Sequence, residues 1–139
     1  MYRDHIKSFA FVLVGVGILS AGLAVVAEPK SDDKPATFKP AMELEQLMEC
    51  QNRLFKEVKD GLLDKKWKQA SESAWVLAEL ANVNQYHNEN SDYRGHAKKM
   101  MDECVTLAKA LKNRDEAASK EAVKAVGNAC GACHDQFKK

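Results

Sequence analysis

The sequence predicts an all-α protein, an antiparallel up-down-up-down bundle of four helices. Three observations predict this fold. Four long segments after residue 39 repeat apolar residues at the three- and four-residue spacing of an amphipathic helix. No proline follows Pro40, and no stretch alternates apolar and polar residues as a half-buried strand would. The segments are joined by short connections, which favour antiparallel neighbours in a bundle.

The first two predicted helices cover residues 40–61 and 64–84. Pro40 suits the first turn of a helix, and Asp64 suits the N-cap of the next one. The apolar stripe of the first helix comprises Leu44, Leu47, Met48, Leu54, Phe55, Val58 and Leu62. The stripe of the second comprises Trp67, Ala70, Ala74, Leu77, Leu80 and Ala81.

The third and fourth predicted helices cover residues 91–112 and 115–138. The third carries an apolar stripe of Tyr93, Ala97, Met100, Met101, Cys104, Ala108 and Leu111. The fourth carries Ala118, Ala122, Val126, Ala129, Cys130, Cys133 and Phe137. Alanine is frequent on this last helix, so that a flat group could lie close to its backbone.

The N-terminus has the three parts of a secretory signal. Arg3 and Lys7 make it basic, residues 9–26 are apolar and uncharged, and small residues allow cleavage after Ala27. The alternative is a retained membrane anchor, because this run of 18 residues is close to the roughly 20 that span a bilayer. We expect residues 1–27 to be removed, and contact with a membrane only if they are retained.

Cleavage would leave a leader and one domain. Residues 28–39 contain two prolines and mixed charges, which is typical of a flexible leader, and residues 40–139 form the domain. Without residues 1–27, Lys plus Arg falls from 21 to 19 and Asp plus Glu from 20 to 19, so the formal charge is zero. A neutral chain argues against nucleic acid as a partner, since nucleic-acid-binding domains are basic.

The last predicted helix contains the sequence C-x-x-C-H, formed by Cys130, Cys133 and His134. This is the attachment motif of c-type haem. The spacing places all three side chains on one face of a helix, so two sulfurs can bond the haem vinyl groups while the imidazole coordinates the iron. A thioredoxin-like pair would need a βαβ pattern, and a structural zinc site would need further close ligands. We therefore predict one covalently bound haem c, with His134 as an iron ligand.

Covalent haem attachment normally occurs outside the cytoplasmic membrane, so the motif and the signal segment together predict a periplasmic protein. Export also permits disulfide bonds. Cys50 and Cys104 remain after the motif is assigned. They either form a disulfide between two helices, with Cα atoms within about 7 Å, or they are small apolar residues with free thiols.

A four-helix sequence with C-x-x-C-H near its C-terminus resembles the cytochrome c′ family, which includes low-spin relatives of the cytochrome c556 type. Phe137 and Lys138 follow the motif as the aromatic and basic residues often found there in the family, which implies Phe137 in the haem pocket. One departure is the lack of the arginine that the family often carries on the first helix, where Lys39 is the nearest cation. Many relatives dimerise, so the resemblance allows a homodimer as well as a monomer.

The resemblance places the second axial position of the iron on the first helix. Leu47 and Met48 are similar to the leucine–methionine pair of the low-spin relatives, which implies Met48 as the distal ligand, with Leu44 and Leu47 lining the pocket. The alternatives are that Met48 is ordinary core, that Met42 is the ligand, or that no side chain binds and the iron is five-coordinate.

Met/His ligation gives a haem potential suited to electron transfer. The sequence therefore predicts a one-electron carrier that exchanges electrons with redox partner proteins. An open iron would instead bind small gases such as nitric oxide or carbon monoxide, for scavenging or sensing. We do not expect an enzyme, because no distal histidine–arginine pair that could cleave peroxide is evident in the sequence.

Overall fold

The computed structural model describes residues 38–138, which form four α-helices: α1 (Leu44–Leu63), α2 (Trp67–Asn84), α3 (Ser91–Lys112) and α4 (Glu116–Phe137). Residues 1–37 lie outside the described residues, and with them the predicted signal segment and most of the leader. Helices adjacent in sequence pack against each other, which confirms the predicted bundle, whereas α1 and α4 barely touch. Within residues 38–138, no helix combines the length and the apolar content needed to cross a bilayer.

The connection between α1 and α2 differs from the prediction. Asp64 is the C-cap of α1 rather than the N-cap of α2, because α1 continues through Leu62 and buries that side chain. The turn then closes through the backbone, where the Lys66 amide donates to the Gly61 carbonyl at 2.8 Å. Lys65 takes the left-handed conformation that such a helix end requires, with φ 57°.

The starts of α3 and α4 follow from local capping. The Asn90 side chain accepts hydrogen bonds from the Asp92 and Tyr93 amides and so starts α3 at the predicted residue. The Asp115 side chain accepts from the Ala118 amide at 3.0 Å and starts α4. Pro40 does not begin α1, which starts four residues later at Leu44.

The hydrophobic core lies between the facing sides of the four helices. Alanines on α2 allow its neighbours to approach closely, and larger side chains from α1, α3 and α4 fill the remaining space. The largest fully buried apolar side chains are Leu47, Val58, Leu77, Leu107, Leu111, Val126 and Cys104. Two members of the predicted stripes are exceptions, since Ala118 is exposed and Leu44 is 37% exposed.

The candidate disulfide between Cys50 and Cys104 is absent from the structure, in which both residues are free thiols. Cys104 is fully buried in the core, whereas Cys50 is only partly buried on α1. Burial raises the pKa of the Cys104 thiol to about 12, with smaller contributions from Cys130 and Glu103. Cys104 thus acts as a small apolar core residue, the second alternative considered from the sequence.

Gly61 marks the closest approach of α1 and α2. A Cβ atom added there would lie 2.9 Å from the Cβ of Ala70, whereas one added at Gly95 on α3 would meet nothing within 4 Å. We expect Gly61→Ala to lower the free energy of unfolding by roughly 1–3 kcal/mol through overpacking. The control Gly95→Ala should raise it by about 0.5–1 kcal/mol, because alanine favours the helix. Urea unfolding measures the free energy of unfolding of both variants. If Gly61→Ala stabilised the protein as much as Gly95→Ala, the close approach at Gly61 would be contradicted.

The buried Cys104 thiol should make stability depend on alkaline pH. Between pH 9 and 12 the unfolded chain loses this proton and the folded chain keeps it. The contribution of this group is therefore complete below pH 9 and falls by roughly 1.4 kcal/mol per pH unit above it. We expect the stability difference between the natural protein and Cys104→Ala to narrow over this range in urea unfolding. The same comparison between the natural protein and Cys50→Ala serves as the control. A difference in unfolding free energy between the natural protein and Cys104→Ala that stays constant over this pH range would contradict the prediction.

Candidate functional site

Two adjoining cavities lie between α1 and the C-terminal part of α4. The inner cavity has a volume of about 300 Å³ and the outer one about 680 Å³. Both are lined by Met48 and Asn52 of α1 and by Cys133 and His134 of α4. These volumes fall within the roughly 300–1,000 Å³ typical of small-molecule and cofactor sites.

The C-x-x-C-H residues lie together at the inner cavity. Cys130, Cys133 and His134 all line it, as the i, i+3, i+4 spacing on α4 predicts. Gly127 and Ala129 continue this wall, and a Cβ atom added at Gly127 would meet nothing within 4 Å. A flat macrocycle can therefore approach the backbone of α4 beside the two cysteines.

The two motif cysteines are held as protonated thiols. Burial raises the pKa of Cys130, to which the neighbouring Cys133 adds, and burial also raises the pKa of Cys133. The Cys130 sulfur lies 3.9 Å from the sulfur of Met100. Thiolates are the form that binds metals, so this environment disfavours direct metal ligation by the two sulfurs. Residues 38–138 contain no cluster of three or more His, Cys, Asp or Glu placed to hold a metal ion.

The α1 side of the site contains only part of the predicted set. Met48 is partly buried and lines both cavities, whereas Leu44 lines the outer one alone. Leu47 lines neither cavity, and its side chain is fully buried in the core. Met42, the other methionine considered as a ligand, also lines neither.

Phe137, for which the family resemblance implies a place in the haem pocket, lines the outer cavity at the end of α4. Its ring packs edge-to-face against Tyr93, with the ring centroids 5.3 Å apart. Phe137 also lies 6.0 Å from the imidazole of His96, whose Nε2 is 3.0 Å from Gln136 Oε1. These contacts connect the last turn of α4 to α3.

Several polar side chains of the inner cavity were missed by the sequence analysis. Gln51 and Asn84 line it and are 5% and 2% exposed, and the Tyr93 hydroxyl donates to Asn84 Oδ1 at 2.7 Å. Gln51 follows Met48 by three residues, at the spacing of the apolar stripe. A polar residue at a core-facing helical position was the signal that could have identified it.

The fold and the site together define a class: a four-helix protein whose last helix carries a covalent haem c motif at a cavity facing the first helix. A family model described as Cytochrome C' matches residues 23–138. The chain belongs to the cytochrome c′ family. No curated protein and no solved structure gives a significant match to the chain.

Membership of this family implies a haem c with its iron, and the described residues fit that group. Two thiols and an imidazole on one helix face line the inner cavity, and the larger outer cavity adjoins it. Cys130 and Cys133 would hold the haem covalently, and His134 would coordinate its iron.

Covalent attachment can be tested on the cysteines. We expect the double variant Cys130→Ala with Cys133→Ala to lose the haem on extraction with acidified acetone, because no sulfur remains to form a thioether. The matched double variant Cys50→Ala with Cys104→Ala should keep it. Intact mass after extraction measures both, and haem that stays bound to the first variant would contradict the assignment.

Proposed function

We propose that this protein is an exported one-electron carrier that binds its haem iron between His134 of α4 and Met48 of α1. The observation that carries the proposal is the placement of Met48. It lines both cavities together with Cys133 and His134, on the α1 side of the space. A thioether sulfur there and an imidazole on α4 form the Met/His pair associated with a raised reduction potential.

Each part of the site has a role in this proposal. Bound haem c supplies the iron that changes between the ferric and ferrous states. Cys130 and Cys133 fix the position of the macrocycle on α4. Apolar side chains of α1 and α3 limit access of water, and among them Phe55, Ala97 and Met100 line the inner cavity. A site held rigidly by packed helices changes little between oxidation states, which favours fast electron transfer.

The proposed partners are redox proteins that reach the haem from the open side of the site. The outer cavity lies at the end of the bundle and is lined by exposed side chains of both signs, including Glu45, Glu49 and Lys138. The site of action is the periplasm, after removal of residues 1–27. The intact mass of the native protein reports both that cleavage and the number of haems.

A second candidate function is the binding of nitric oxide or carbon monoxide at an open iron. Its support is the α1 wall beside Met48, where Leu44, Asn52 and Phe55 also line the cavities. In this alternative Met48 is a wall residue, and the distal side of the iron stays open to a small gas.

The two functions differ in what Met48→Ala does. If Met48 is the ligand, the natural protein has a sharp, split reduced spectrum that ignores carbon monoxide. The variant should then become high-spin, bind carbon monoxide at once and have a lower midpoint potential. Met42→Ala is the matched control and should change none of these properties. An unchanged spectrum in Met48→Ala would exclude Met48 as ligand, and rapid carbon monoxide binding by the natural protein would favour the gas-binding function.

A further inference from the structure

The cavity wall contains a buried hydrogen-bond donor without a partner. Among residues 38–138, three buried side-chain polar atoms make no hydrogen bond: Gln51 Nε2, His87 Nε2 and Ser119 Oγ. Of these residues, only Gln51 lines the cavity that contains the C-x-x-C-H side chains. An unpaired buried amide destabilises the folded state, so an acceptor for Gln51 is expected inside this cavity.

The position of Gln51 relates it to the iron site. It lies on α1 three residues after Met48, and residues at this spacing share one face of a helix. Phe55, Ala97 and Met100 also line the inner cavity, and their side chains accept no strong hydrogen bond. An oxygen atom that enters the cavity with a bound group would therefore be the partner of this amide.

The other polar groups of the inner cavity differ from Gln51. The Oδ1 of Asn84 already accepts from the Tyr93 hydroxyl at 2.7 Å, and His96 Nε2 is paired with Gln136. Asn52 and Lys59 are exposed and reach solvent. Among the described residues that line this cavity, Gln51 is thus the one whose side-chain donor atom is itself fully buried and makes no hydrogen bond.

We propose that Gln51 is a specificity residue of the haem site, whose side-chain amide donates to an acceptor oxygen carried into the cavity. The inference rests on the proposed haem site. Two sources can supply such an oxygen: a propionate carboxylate of the haem, or a small ligand bound on the α1 side of the iron. In the first case Gln51 fixes the orientation of the macrocycle and adjusts its potential. In the second it favours polar diatomic ligands over carbon monoxide, because distal donors decide which ligand is retained.

The experiment compares Gln51→Leu with Gln46→Leu in the haem-loaded protein. Gln46 is an exposed amide on the same helix, so its loss controls for the removal of a glutamine. Gln51→Met is the second variant, since it keeps the length of the side chain and still lacks the donor. Haem content and helicity are measured first, so that a failure of haem loading, which would count against the proposed function, is distinguished from a failure of this inference.

Two readouts distinguish the sources of the oxygen. The first readout is the frequency of the infrared C–O stretch in the reduced carbon monoxide complex. It is recorded in the natural protein if that protein binds carbon monoxide, and otherwise in the Met48→Ala background. The midpoint potential is recorded on the natural background. If the C–O stretching frequency rises in the Gln51 variants and not in Gln46→Leu, relative to the same background without these substitutions, Gln51 donates to a bound ligand. If the midpoint potential falls in the Gln51 variants and not in Gln46→Leu, relative to the natural protein, Gln51 donates to a propionate. Haem-loaded Gln51 variants that match Gln46→Leu in both readouts would overturn the proposal.

Discussion

The site depends on the opening between α1 and α4. Sequential helices of the bundle pack closely, and the alanines of α2 allow that approach, while α1 and α4 leave a space near the C-terminus of α4. The side chains that face this space differ from those of the core. They include two thiols, an imidazole, a thioether and a buried amide, whereas most side chains of the buried core are aliphatic. A bundle that closed this interface would have no room for a macrocycle beside Cys130 and Cys133.

The cysteines illustrate how position sets chemistry in this chain. Cys104 is fully buried among apolar side chains and is a filler of the core. Cys130 and Cys133 are partly buried at the cavity, where they remain protonated yet accessible to a bound group. Cys50 is partly buried on α1. Residues of one type thus divide between the core and the cavity wall according to the helix face they occupy.

Much of the fold could be predicted because its causes are local. Helical spacing, the Asn90 cap and the Asp115 cap act within one or two turns, and the starts of α3 and α4 follow from them. The end of α1 was missed because it depends on burial of Leu62 and on the approach of Gly61 to Ala70, which join two helices. The prediction that Ala118 belongs to the buried stripe of α4 was wrong for a similar reason. Helical spacing shows which residues share a face of α4, but it does not show where the neighbouring helix that covers this face ends.

The sequence by itself determined four helices, their order and the C-x-x-C-H face, because spacing along one helix fixes which side chains share a side. Only the tertiary structure decided which α1 residues reach the cavity. Successive residues of an α-helix turn by about 100°, so the rotation of α1 against its neighbours turns Leu47 into the core and Met48 towards the cavities. The same rotation brings Gln51 to the cavity wall. Helical rotation is set by packing among all the helices, which no single segment of the chain specifies.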